Sequence, residues 1–117
     1  MAKFMYIFRE GPRPNLSPAE LAAHLAKWSA WMAELAKDGH LIPGGQPLEL
    51  EGKTLRGRGK TVVDGPFVEA KDLVTGVAFI DAATVDEAVE LARGCPIFSY
   101  DGSVEVRPIM PMTMPGQ

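Results

Sequence analysis

The stretch Phe4-Met5-Tyr6-Ile7-Phe8 decides how the remainder of the chain must fold. Bulky aromatic and branched side chains in succession suit an extended strand. Alternation puts Phe4, Tyr6 and Phe8 on one face and Met5 and Ile7 on the other, so both faces are apolar and both need cover. Val77-Ala78-Phe79-Ile80 has the same character and reads as the end of a second central strand running from Leu73 to Ile80. Two such strands need helices on one side and something else apolar on the other.

The helices are legible from their caps. Ser17-Pro18-Ala19-Glu20 combines a capping box with proline at the first helical position, and predicts a helix that runs to about Lys37 and ends at Gly39. Its apolar stripe is Leu21, Leu25, Trp28, Met32 and Leu35, with His24, Trp28 and Trp31 along one flank of the same side. His40, in the helix-ending turn, reads as structural. Thr84-Val85-Asp86-Glu87 repeats the capping logic and starts a second helix with Val85, Ala88, Val89 and Ala92 inward, ended by Gly94. Between the helices, Pro43-Gly44-Gly45 reads as a loop, Gln46 to Leu50 as strand, and Thr54 to Asp64 as irregular strand with Arg56, Arg58 and Lys60 on one face. A closing strand, Ser103 to Arg107, puts Val104 and Val106 on one face and Glu105 and Arg107 on the other, where these two contact each other or an opposite subunit.

The order strand, helix, strand, strand, helix, strand is the split β-α-β pattern of an α+β, ferredoxin-like sheet with both helices on one face. The other face would expose a large apolar patch, so the expected solution is a homodimer packed sheet to sheet. At 117 residues, 46% hydrophobic and 23% charged, the chain is one globular domain, taken as residues 1–110 with a Pro- and Met-rich tail at 111–117. A net charge of −3 gives no basic field for direct nucleic-acid binding, and the apolar run at Phe4–Phe8 is too short for a leader or a membrane span. The single cysteine, Cys95, excludes an internal disulfide; it follows a helix C-terminus, where a thiolate is not favoured, and reads as a small buried hydrophobe. A cytoplasmic location is the expectation.

The densest run of ionisable groups is Val62-Val63-Asp64-Gly65-Pro66-Phe67-Val68-Glu69-Ala70-Lys71. Gly65-Pro66 stops the strand, leaving Asp64 at its mouth either to organise the turn or to reach into a cleft. Gly59-Lys60-Thr61 is no phosphate loop, because it runs into a strand instead of opening a helix. Asp64-Gly65-Pro66-Phe67 with Glu69-Ala70-Lys71-Asp72 resembles the signature of DGPF-domain proteins, a branch of the YCII-related family. The resemblance extends from Phe4-Met5-Tyr6-Ile7 through His24 and Trp28 to Gly102-Ser103-Val104-Glu105-Val106-Arg107-Pro108. It implies a dimeric α+β barrel, and for most members no established activity.

For function, the residues offer a pocket with His24 and Asp64 as an acid/base pair, Trp28, Trp31 and Phe67 as apolar walls, and Arg107 as a further substrate contact. A histidine exchanges protons near neutral pH and a carboxylate can orient it. The competing reading of His24 is a core-boundary histidine with one nitrogen bonded. The pairing of His24 with Asp64 is what the resemblance implies for the matching motifs. The resemblance also implies a different role, as an accessory module associated with extracytoplasmic-function sigma factors. Glu20 and His24 lie one turn apart, but no further cluster completes a metal set, and no cofactor is expected.

Overall fold

The computed structural model of the protein describes residues 1–12, 15–65 and 72–112. Its elements are β1 (Ala2–Arg9), α1 (Pro18–Lys37), β2 (Leu41–Pro47), β3 (Lys53–Arg56), β4 (Thr61–Asp64), β5 (Gly76–Ala82), α2 (Val85–Ala92), a 3-10 helix (Pro96–Tyr100) and β6 (Ser103–Pro108). Four of the strands form one antiparallel sheet in the order β2-β5-β1-β6, and β3 with β4 forms a separate hairpin. The two doubly apolar stretches are thus the two central strands, as their lack of a polar face requires.

One sheet face is the core. Phe4, Tyr6 and Phe8 of β1 lie beside Ala78, Ile80 and Ala82 of β5, and Trp31 and Leu35 of α1 cover them together with Ala88 and Ala92 of α2. The alanines leave room for the aromatic rings: Tyr6 stacks on Trp31 with centroids 6.2 Å apart and planes 13° apart. The polar ends of both rings are satisfied, since Tyr6 donates its hydroxyl to the Ala88 carbonyl and the Trp31 indole donates to the Leu91 carbonyl at 3.2 Å. These two bonds fasten the short helix α2 to the sheet and to α1.

The capping predictions hold. Ser17 Oγ accepts from the Glu20 amide and Glu20 Oε1 from the Ser17 amide, each at 3.1 Å, and Thr84 caps α2 through the Glu87 amide. Hydrogen bonds from the Ser17 backbone and then its side chain hold the Glu20 carboxyl below its usual pKa.

Several boundaries differ from the sequence reading. Strand β2 begins at Leu41 and incorporates Pro43-Gly44-Gly45, with a register shift between Ile42 and Gln46. Glycine permits this: a Cβ on Gly45 would sit 2.6 Å from the Val77 carbonyl oxygen and 2.8 Å from the Ala78 Cα. Strand β5 begins at Gly76 instead of Leu73, and residues 54–64 are two strands joined by a turn at 57–60. Arg58 and Lys60 belong to that turn, so the three cations do not share a strand face. The buried part of α1 is its C-terminal half; Leu21 and Leu25 are 47% and 55% exposed because the first half overhangs a cavity. In α2 only the alanines are buried, while Val85 and Val89 face outward. The reading of Glu69–Asp72 as a helical turn falls largely outside the described residues.

The opposite sheet face carries Met5 across from Phe79 and Ile7 across from Val77, all half-buried. Glu105 and Arg107 of β6 border this patch.

Burial also sets an alkaline limit on stability. It raises the Tyr6 hydroxyl, with a smaller push from the adjacent Cys95, to about 12, and burial raises the Cys95 thiol to about 11 against the lowering effect of the Ile97 amide. Both groups hold their protons more tightly folded than unfolded, so their contribution is complete below their ordinary pKa values and is lost as pH rises through the folded ones. Thermal unfolding followed by circular dichroism is expected to show a Tm that declines above roughly pH 9 and continues to fall to about pH 12. Tyr6→Phe should remove the upper part of that decline while costing about 1–3 kcal/mol at neutral pH, because the Ala88 carbonyl loses its donor.

Candidate functional site

A cavity of about 840 Å³ opens where the N-terminal half of α1 leaves the sheet. Leu21, Leu25, Trp28 and Met32 form its helical wall, Phe8 and Ala78 its floor, and the irregular part of β2 from Ile42 to Pro47 its side. The loop after β1 and the 3-10 helix close the back, where Gly11 packs so tightly that a Cβ would meet the Tyr100 carbonyl oxygen. Thr75 stitches this end together: its hydroxyl donates to the Phe8 carbonyl and accepts from the Glu10 amide, both at 3.2 Å. The space is lined mainly by apolar side chains with a few polar groups converging on it, the usual form of a small-molecule site.

His24 is a polar side chain held specifically there. The Trp28 indole N–H lies 3.1 Å from His24 Nε2, one helical turn away. An indole nitrogen only donates, so Nε2 is the acceptor and, in the neutral ring, Nδ1 carries the proton. Tyr100 packs edge-on against the imidazole at 5.0 Å, and Trp28 is itself fixed edge-on to Phe8 at 5.3 Å. The imidazole is therefore held in one orientation and one tautomer by its aromatic neighbours.

The other residues singled out from sequence fall elsewhere. Trp31 is a core residue beneath Tyr6 and does not line the cavity. Asp64 ends β4 and pairs with Lys53 at 2.6 Å; its side chain is 90% exposed, and one chain does not bring it into the lining. Arg107 lies on the helix-free sheet face, 3.8 Å from Glu105, whose other oxygen bonds Arg9 at 2.8 Å. Phe67 is outside the described residues. His40 binds the Asp81 carbonyl through Nδ1 at 2.7 Å, a structural tie between α1 and β5. The Cys95 thiol is buried in the core, and its raised pKa leaves it protonated at neutral pH. Among the described residues no three His, Cys, Asp or Glu side chains gather as a metal site. No helix among them is long and apolar enough to cross a membrane.

Sequence reasoning missed Tyr100 and the β2 bulge. The two glycines of the bulge were visible, but their close approach to β5 is a property of strand pairing. Tyr100 carried no local signal, since it reaches His24 only through the fold.

A family model described as the YCII-related domain matches residues 3–113. An uncharacterised protein of Rhizobium meliloti (strain 1021) is 45% identical over 53 residues, a stretch that covers 44% of this chain and 43% of that protein. The match therefore spans less than half of either molecule.

The tautomer is directly measurable. Nitrogen-15 NMR of the imidazole is expected to report a protonated Nδ1 and an unprotonated Nε2 for neutral His24. Trp28→Phe, which keeps an aromatic ring but loses the indole N–H, should shift the ring toward a mixture of tautomers.

Proposed function

The chain belongs to the YCII-related domain family, and from that premise we propose that it binds a small, largely apolar molecule in the cavity beneath α1 and exchanges a proton with it through His24. The observation that carries this reading is the Trp28–His24 hydrogen bond at the wall of an 840 Å³ cavity. The bond to Trp28 orients the imidazole, and its place in the lining puts it where a ligand in the cavity would meet it. The ligand's complement to Nδ1–H is an acceptor such as a carbonyl, carboxylate or ring nitrogen, with apolar bulk against Leu21, Leu25 and Met32.

The acid/base pairing with Asp64 extends this reading to catalysis. In that extension the carboxylate comes from a second copy, since in its own chain it is exposed and turned to Lys53. A dimer is supported by the half-buried patch of Met5, Ile7, Val77 and Phe79 on the sheet face that neither helix covers. Completing this face with another copy is the α+β barrel arrangement.

A thermal-shift screen of small acids and carbonyl compounds tests the site. A true ligand at one hundred times its Kd stabilises by about 2.7 kcal/mol, and that shift should vanish in His24→Ala. A compound that stabilises both proteins equally would remove His24 from the site. Recovery of a sigma factor by the His24→Ala, Asp64→Ala protein would favour a non-catalytic accessory role instead. The dimer is tested by light scattering: twice the 12.6 kDa chain mass is expected for the wild type, and the chain mass for Phe79→Glu, which puts a charge in the middle of the patch.

A further inference from the structure

The β3–β4 hairpin stands apart from everything the proposed site uses. Its strands pair with each other through Lys53–Asp64, Thr54–Val63, Leu55–Val62 and Arg56–Thr61, and the four-stranded sheet does not include them. Directly paired residues share a face, so one side of the hairpin presents Leu55 beside Val62, next to the Lys53–Asp64 ion pair. These two apolar side chains are 62% and 59% exposed. On the other side Thr54 and Val63 are half-buried, and Arg56 and Thr61 are exposed. An isolated two-stranded hairpin is marginal in water, and a salt bridge this exposed adds little to it.

The molecule's dimensions agree with an extended arm. The radius of gyration is 16.4 Å, whereas a compact domain of this length has about 13 Å. The extents are 46 × 40 × 21 Å, and the main packing of β3 and β4 is on each other, not on the sheet or the helices. Charge identifies what fits it. Lys53, Arg56, Arg58 and Lys60 against Asp64 give the arm a net charge of +3, which leaves −6 on the rest of a chain whose total is −3. The body of one copy thus attracts the arm of another.

We propose that the β3–β4 hairpin is an exchanged arm that buries Leu55 and Val62 on a second copy of this chain. This inference rests on the dimer of the preceding subsection and adds a second contact to it. Exchange of an identical element is a low-cost way to strengthen a two-fold pair, because symmetry makes the same contact twice. It also places Asp64, at the foot of the arm and paired with Lys53, beside the interface.

Hydrogen exchange of the full-length protein at two concentrations, one below and one above dimer formation, tests the arm. Amides of residues 53–64 are expected to exchange at least about tenfold more slowly in the dimer. The double variant Leu55→Ser, Val62→Ser should keep the fold by circular dichroism while raising the dimer dissociation constant about tenfold or more, the loss expected for two buried aliphatic side chains. Raising the salt concentration should weaken association of the wild type, because the attraction between arm and body is screened. Arm amides that exchange equally fast in monomer and dimer, or that are equally protected at every dilution, would overturn the arm and leave the sheet-to-sheet dimer standing. A wild type that stays monomeric throughout would overturn arm and dimer together, while the ligand screen on the single chain would still judge the cavity.

Discussion

Tyr6 is the side chain on which the packing of both helices depends. It lies on one of the two central strands with no solvent exposure, stacks on Trp31 of α1 and bonds to the Ala88 carbonyl of α2. A tyrosine can be buried this deeply only if its hydroxyl is satisfied, and a helix carbonyl is the acceptor. That requirement draws α2 down until its alanines touch the sheet, and the small residues at 78, 82, 88 and 92 make the approach feasible. The order of the core is thus an aromatic pair surrounded by alanines, with the bulk concentrated on β1 and α1.

The cavity is the counterpart of that concentration. Helix α1 has 20 residues, about 30 Å of length, but its deeply buried residues are Trp31 and Leu35 near the C-terminal end. At the other end Leu21 and Leu25 extend over space instead of into packed atoms, and Trp28 marks the transition between the two regimes. The placement of His24 one turn before Trp28 follows: it is near enough to the packed half to be held, and far enough along the helix to look into the opening. Rigidity supplied by aromatic packing and access supplied by the cavity meet at this one residue.

The periphery follows a different logic. The sheet's helix-free face and the Leu55–Val62 pair of the hairpin are both apolar surfaces that their own chain does not finish covering. A chain of this length has limited ability to bury all of its apolar area alone. In the proposed dimer, association belongs to the same energetic problem as folding, with the basic hairpin set against an acidic body to give it direction.

Local signals were enough for much of this. Two strands without a polar face, two capped helix starts and their order along the chain determined an α+β fold, the identity of the central strands, the start of each helix and the burial of Cys95. These properties depend on alternation, capping geometry and hydrophobicity, all written within a few residues of where they act. Tertiary structure decided the rest: that Trp31 and not Leu25 fills the core, that Pro43-Gly44-Gly45 joins a strand, and that Asp64 turns to Lys53 while His24 bonds Trp28 and meets Tyr100. The helical period places Leu21, Leu25 and Leu35 on one stripe, but it does not say how far the opposing sheet extends beneath them. Which apolar residue is buried, and which histidine faces a cavity, is fixed by the distance between two packed layers, a quantity that no single segment encodes.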